Sequence, residues 1–127
     1  VDGYQGCAYG QGSGDPVSGE YSSTNISGMT NWIYPNSNDA TGEIRQANTD
    51  LCMQLDESSY GDIIEAPCVD DLAEQWENIY NVGTDRTEFV SLWGLDNADA
   101  AWCLSNEGDL TTQDCSLDIN NEQWGTS

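Results

Sequence analysis

The chain of 127 residues contains no histidine and no lysine, and its only cationic side chains are Arg45 and Arg86. Without histidine it lacks the commonest general acid–base and cannot build Ser/His or Cys/His nucleophile pairs. The missing lysine is unusual, because lysine is among the commonest residues of soluble proteins. Against the two arginines stand 23 acidic residues, for a formal charge of −21. Such a field repels phosphate backbones and anionic lipid headgroups, which makes nucleic acid and membrane surfaces poor partners, so neither nucleic-acid binding nor membrane insertion is expected. No apolar run reaches the ~18 residues of a membrane-spanning helix. No basic and apolar leader precedes Val1, which fits a processed N-terminus. Zinc-binding and phosphate-loop spacings are missing too, so no cofactor is expected. The stretch Asp56 to Asp62 begins like a calcium loop, but Pro67 stands where the twelfth, acidic ligand belongs. Close carboxylate pairs of the glycosidase kind arise by chance among so many acids. The chain is not expected to be an enzyme, and no catalytic residue is assigned.

Three explanations of the acidity remain open. It keeps a secreted protein soluble, or adapts it to salty water, or awaits a neutralising partner or ion. The charge is uneven: residues 1–42 hold four carboxylates, Asp2, Asp15, Glu20 and Asp39, and the other nineteen follow. High net charge favours disorder, but five tryptophans, six tyrosines and repeated cysteines argue for a fold.

What the chain does contain is a repeat. Cys7 precedes Trp32 by 25 residues, Cys52 precedes Trp76 by 24, and Cys103 precedes Trp124 by 21. The last two tryptophans each end the tripeptide Glu-Gln-Trp, at Glu74 to Trp76 and Glu122 to Trp124. Self-similarity at this period implies one domain of three units, approximately residues 1–39, 40–84 and 85–127. The second and third units carry a further cysteine, Cys68 and Cys115, eight and nine residues before the tryptophan. The repeat therefore pairs Cys52 with Cys68 and Cys103 with Cys115, a framework that points to an oxidising, secreted setting. Cys7 is left over, either as a buried thiol or as a bridge to another protein chain.

Between turn clusters the sequence reads as short strands rather than helices. They are expected at Glu43 to Ala47, Leu51 to Leu55, Asp62 to Ala66, Trp76 to Tyr80, Glu88 to Trp93, Ala101 to Leu104 and Asp109 to Thr112. Four per unit give about twelve strands, an all-β chain that manages its edges by closure or radial repetition. Tyr34 to Asp39 is a turn cluster linking the first unit to the second.

Taken together, these residues resemble a ricin B-type β-trefoil, the lectin family in which Gln-any-Trp closes each of three subdomains. The resemblance covers most of the chain and is best from Leu51 to Trp76 and from Trp102 to Trp124. Glu74 and Glu122 stand where the family usually has glutamine, and Thr30 takes that place in the first unit. The resemblance implies an all-β, pseudo-threefold β-trefoil that binds carbohydrate or glycoprotein without metal. It also implies that the signature tryptophans are core, so Trp32, Trp76 and Trp124 are not sugar platforms.

The family's pocket uses an aspartate two residues after the first cysteine, an aromatic before the second, and an asparagine just before the signature glutamine. Here those places hold Gln54, Ala66 and Ala73 in the second unit, and Ser105, Gln113 and Asn121 in the third. In the first they hold Tyr9, about Ser22, and Met29. The expected carbohydrate-binding set is Asn121, Ser105, Gln54 and Trp102, centred on the third unit. The alternative is a structural or interaction subunit of a larger extracellular assembly whose sugar sites are lost. Asn25 begins an Asn-Ile-Ser sequon, so a glycan is expected there in a eukaryotic setting.

Overall fold

A computed structural model describes residues 2–3, 7–9, 14, 18–20, 32–56, 61–81, 83, 86–107, 109–115 and 124–125. Over these residues the chain is all-β. The strands are β1 (Asp2–Gly3), β2 (Cys7–Tyr9), β3 (Ser18–Glu20), β4 (Trp32–Ile33), β5 (Thr41–Gly42), β6 (Arg45–Gln46), β7 (Leu51–Leu55), β8 (Ile63–Pro67), β9 (Trp76–Asn81), β10 (Arg86–Ser91), β11 (Trp102–Glu107), β12 (Asp109–Asp114) and β13 (Trp124–Gly125). They form two antiparallel sheets. The larger runs β11-β12-β3-β2-β1-β13-β10-β9-β5, and β10 also pairs with β11 through Val90 and Cys103. The smaller runs β4-β6-β7-β8. No described helix is long and apolar enough to cross a membrane.

Local sequence explains the strands and their ends. β8 alternates Ile63 and Glu65 inward with Ile64 and Ala66 outward, the period of two that a half-buried strand demands. The β6–β7 turn is built by Asn48 in the left-handed region and by Thr49, whose hydroxyl donates to Gln46 O and accepts from the Leu51 N–H. All four described non-glycine residues with positive φ are Asp or Asn: Asp39, Asn48, Asp70 and Asp99. Their short polar side chains tolerate that region better than others do. The expected strand from Glu88 to Trp93 instead ends at Ser91. The Ser91 hydroxyl accepts from the Gly94 N–H, and a wide helical turn follows over Gly94–Ala98. Gly94 is needed there, since a Cβ would lie 3.2 Å from the Trp102 ring.

The core joins the units. Trp32, Ile44, Met53, Leu55, Ile63, Trp76, Phe89, Leu104, Leu110 and Trp124 form one buried cluster, so all three repeat tryptophans meet there. Two of them are held identically. The Trp76 indole N–H donates to Met53 O at 3.3 Å, and that of Trp124 donates to Leu104 O at 3.0 Å. Met53 follows Cys52 and Leu104 follows Cys103, so the two hydrogen bonds are equivalent by repeat. The disulfides Cys52–Cys68 and Cys103–Cys115 are present, with Cα separations of 5.2 and 5.1 Å. Each joins the first strand of a hairpin to the segment after its second strand. The second and third hairpins meet at Gly61, whose carbonyl accepts from the Thr112 N–H and from both Thr111 and Thr112 hydroxyls.

Candidate functional site

Of the residues expected from the resemblance to form a sugar pocket, Ser105, Trp102 and Gln54 are among the described residues, and they do not share one face. Ser105 is on β11, fully buried and opposite Thr111. Trp102 is on the same strand three residues earlier. An odd separation on a regular strand puts the two side chains on opposite faces. Trp102 is half-buried, packs on the core and lies 5.9 Å from the Trp93 ring. Gln54 is on β7, half-buried and opposite Ile64. Asn121 and Asn25 lie outside the described residues. The backbone of Cys7 is in β2, opposite Asp2 and Glu20; its thiol lies outside the described atoms.

A different place gathers polar side chains. The segment after β4 crosses the end of the β9–β10 hairpin and encloses a pocket of about 260 Å³. Its lining is Asn36, Ser37 and Asn38 from the segment, Asn78 and Tyr80 from β9, and Thr87 from β10. The segment is held to the strand by backbone hydrogen bonds. Asp39 N–H donates to Asn78 O at 2.8 Å and Asn78 N–H to Ala40 O at 2.9 Å. The Asn38 side-chain oxygen accepts from the Tyr80 N–H at 3.0 Å. Upstream, Tyr34 packs edge-on against Phe89 with ring centres 5.8 Å apart, anchoring the segment to the core.

Two of the lining residues, Asn78 and Thr87, carry a buried polar group with no partner among the described residues. The Asn78 amide nitrogen donates to Pro35 O at 2.7 Å, which fixes the orientation of the amide, since the reverse would set oxygen against oxygen. Its oxygen then has no hydrogen-bond partner among the described residues, although Asn78 is only 2% exposed. The Thr87 hydroxyl, 1% exposed, likewise has none. An unmade hydrogen bond on a buried polar group costs about 1–3 kcal/mol, which a bound water or a ligand hydroxyl would offset. Tyr80, directly across from Thr87 in the ladder, is 37% exposed and offers an aromatic surface at the mouth.

Among the described residues no charged side chain lines this pocket, although the chain carries 25 charged side chains, 23 acidic and two basic. The arrangement therefore suits an uncharged ligand rich in hydroxyls. One group accepts only (Asn78 Oδ1), one both donates and accepts (Thr87 Oγ1), and amides and a serine complete the wall. At about 260 Å³ it falls below the ~300 Å³ of pockets that enclose drug-sized ligands, a size suited to one ring rather than a long chain. From sequence these residues read as a linker turn and as strand interior. The available signal was Asn78, an amide on the same strand face as the buried Trp76, where an apolar residue would be expected.

The signature position of the second unit is also informative. Glu74 is fully buried next to Trp76, and one carboxylate oxygen accepts from the Val69 N–H at 2.9 Å. The other has no partner among the described residues. Burial raises its pKa above the ordinary carboxylate value, the negative charges of Glu43 and Asp71 add to this, and the Val69 hydrogen bond opposes it. A protonated glutamic acid has the shape of glutamine, with one accepting and one donating end.

No protein-family model, curated protein or solved structure matches this chain.

Proposed function

We propose that this protein is a secreted carbohydrate-binding module with a ricin B-type β-trefoil fold, and that its working pocket is the one walled by Asn36, Ser37, Asn38, Asn78, Tyr80 and Thr87. The observation that carries this reading is a pocket whose described lining is uncharged and includes two residues, Asn78 and Thr87, with buried groups (Oδ1 and Oγ1) that have no partner among the described residues. Sugar hydroxyls supply both the donor that Asn78 lacks and the donor or acceptor that Thr87 lacks. The Tyr80 ring stacks on the C–H face of the sugar. The charge of −21 opposes sialylated or sulfated glycans, so the ligand is a neutral sugar. The three tryptophans at repeat positions, the two equivalent indole hydrogen bonds and the β10–β11 pairing support the trefoil. Both disulfides suit an extracellular setting.

A glycan array at low and at high salt tests this. Neutral glycans should bind at both, and Thr87→Val should weaken binding about tenfold or more, the effect of losing one buried hydrogen bond. The reading fails if no glycan binds at either salt, or if Thr87→Val and Tyr80→Ala both bind as the parent does. Asn121→Ala separates the two sites: if it abolishes binding and Thr87→Val does not, the third unit holds the sugar.

The second reading is a subunit of an extracellular assembly joined through Cys7. The burial of Ser105 favours it, because that position is then closed to a sugar. Mass before and after reduction decides: a mass that halves on reduction shows the bridge, and alkylation of one free thiol excludes it.

A further inference from the structure

Each disulfide has a glutamate set against it, at the same place in its unit. Arg45 is the cross-strand partner of Cys52, and Glu43 lies two residues before Arg45. Val90 is the partner of Cys103, and Glu88 lies two residues before Val90. In both units one carboxylate oxygen and the two sulfurs lie within 4.8 Å of one another, as Glu43, Cys52 and Cys68 and as Glu88, Cys103 and Cys115. The sequence spacing hides this equivalence, because Glu43 precedes its cysteine by nine residues and Glu88 by fifteen. Only the strand register aligns them.

A carboxylate gains nothing from a neutral disulfide. Glu88 Oε2 sits 3.4 Å from Cys103 Sγ, a contact and not a hydrogen bond, since a disulfide sulfur carries no proton. Among the described residues no donor or cation is bonded to the Glu88 carboxylate, which is half-buried. Glu43 accepts from the Asp70 N–H at 3.3 Å, so the missing donor is particular to Glu88. The half-buried carboxylate beside each cysteine pair has a chemical use once the pair is reduced. Two thiolates and a carboxylate are the donor set of a divalent, borderline-soft cation such as zinc.

We infer that the reduced chain holds two equivalent Cys-Cys-Glu sites for a divalent transition metal, one in the second unit and one in the third. A dithiol reductant opens each disulfide by delivering two electrons and two protons, and is itself oxidised to a disulfide. The metal ion then displaces both thiol protons and binds two sulfurs and the ionised glutamate, leaving a fourth position for water. Sulfur–metal distances of about 2.3 Å require the two sulfurs to part, with Cys68 and Cys115, which lie just beyond β8 and β12, as the ends that move. Cys52 and Cys103 are buried whereas Cys68 and Cys115 are half-buried, so reductant and metal enter from the side of the second cysteine. Bound metal neutralises two of three clustered negative charges, which the acidic chain favours.

The test is a cobalt(II) titration of the full chain reduced by a phosphine without oxygen, read by the thiolate-to-cobalt absorption and the visible bands of tetrahedral cobalt. Two ions per chain should bind, zinc should displace both, and the oxidised chain should show neither band. Glu43→Gln and Glu88→Gln should each weaken one site at least about tenfold and spare the other, since losing even an indirect partner of a ligand has that effect. Cys7→Ser should leave the count at two. If reduction unfolds the chain, cobalt must restore the β-sheet circular dichroism at the same two equivalents. Absent thiolate bands, any other stoichiometry, glutamine variants that titrate like the parent, or bands without recovered fold would each overturn the inference.

Discussion

Trp76 and Asn78 are two residues apart on the same face of β9, and they use their polar groups in opposite ways. Trp76 is fully buried and its one donor is spent on Met53 O. Asn78 is nearly as buried, ties its donor to Pro35 O, and leaves its acceptor unspent. Going outward along the strand, Tyr80 reaches solvent. One strand thus passes from a side chain whose polar group serves the fold to one whose acceptor has no partner among the described residues. The first arrangement repeats, at Trp124 and Leu104. The second does not, because its other wall is the segment between the first and second units. What repeats is scaffold, and the candidate binding site lies where the repeat is broken.

The largest test of this division is removal of the scaffold tryptophans. Trp76→Ala and Trp124→Ala should each destabilise by about 3–5 kcal/mol, the cost of deleting a large buried aromatic, measured by denaturant unfolding. The two values should agree, since the indoles are held alike. A small effect at either would show that the two units are not equivalent in the core.

Next come the disulfides. Cys52–Cys68 spans 16 residues and Cys103–Cys115 spans 12, so each restricts the unfolded chain by about 3 kcal/mol. Replacing either pair with serines should lower stability by that amount in chemical unfolding. Loop entropy makes the two losses nearly equal. A clearly larger loss in the third unit would mean that its disulfide acts on the folded state as well.

Much of this scaffold was legible in the sequence. The spacing of Cys52, Cys68 and Trp76, repeated at Cys103, Cys115 and Trp124, carried both disulfide pairs. The strand Leu51–Leu55 was read to the residue because its apolar run is bounded by Asn48-Thr49-Asp50 on one side and Asp56 on the other. The pocket was not legible, since no pattern in the chain connects Asn36 with Thr87; the β9–β10 register and the hydrogen bonds of residues 38–40 do so. Glu43 and Glu88 were missed for the same reason. Their equivalence exists in cross-strand register and not in distance along the chain.

The pocket makes a contrary prediction of smaller size. Thr87→Val keeps the shape of the side chain and removes a buried hydroxyl that has no partner. Stability should therefore stay level or rise, by up to about 1 kcal/mol, while sugar binding falls. A thermal melt beside a binding isotherm reads both. If Thr87→Val destabilises the protein instead, the hydroxyl serves the fold and belongs with Trp76 rather than opposite it.

The smallest effect concerns Glu74, where scaffold and unspent polarity meet in one side chain. Its folded-state pKa is raised, first by burial and then by Glu43 and Asp71. A group raised on folding contributes its full stability below the ordinary carboxylate pKa. That contribution is lost as pH climbs through the raised value, because the unfolded chain releases the proton first. Glu74→Gln removes the titration and retains the accepting oxygen toward Val69. Parent and variant should therefore melt at similar temperatures near pH 4, and the variant should melt higher at pH 8. A gap that stayed constant between the two pH values would show that the carboxyl of Glu74 does not change its proton on unfolding, and that its unpartnered oxygen is costly for its burial alone.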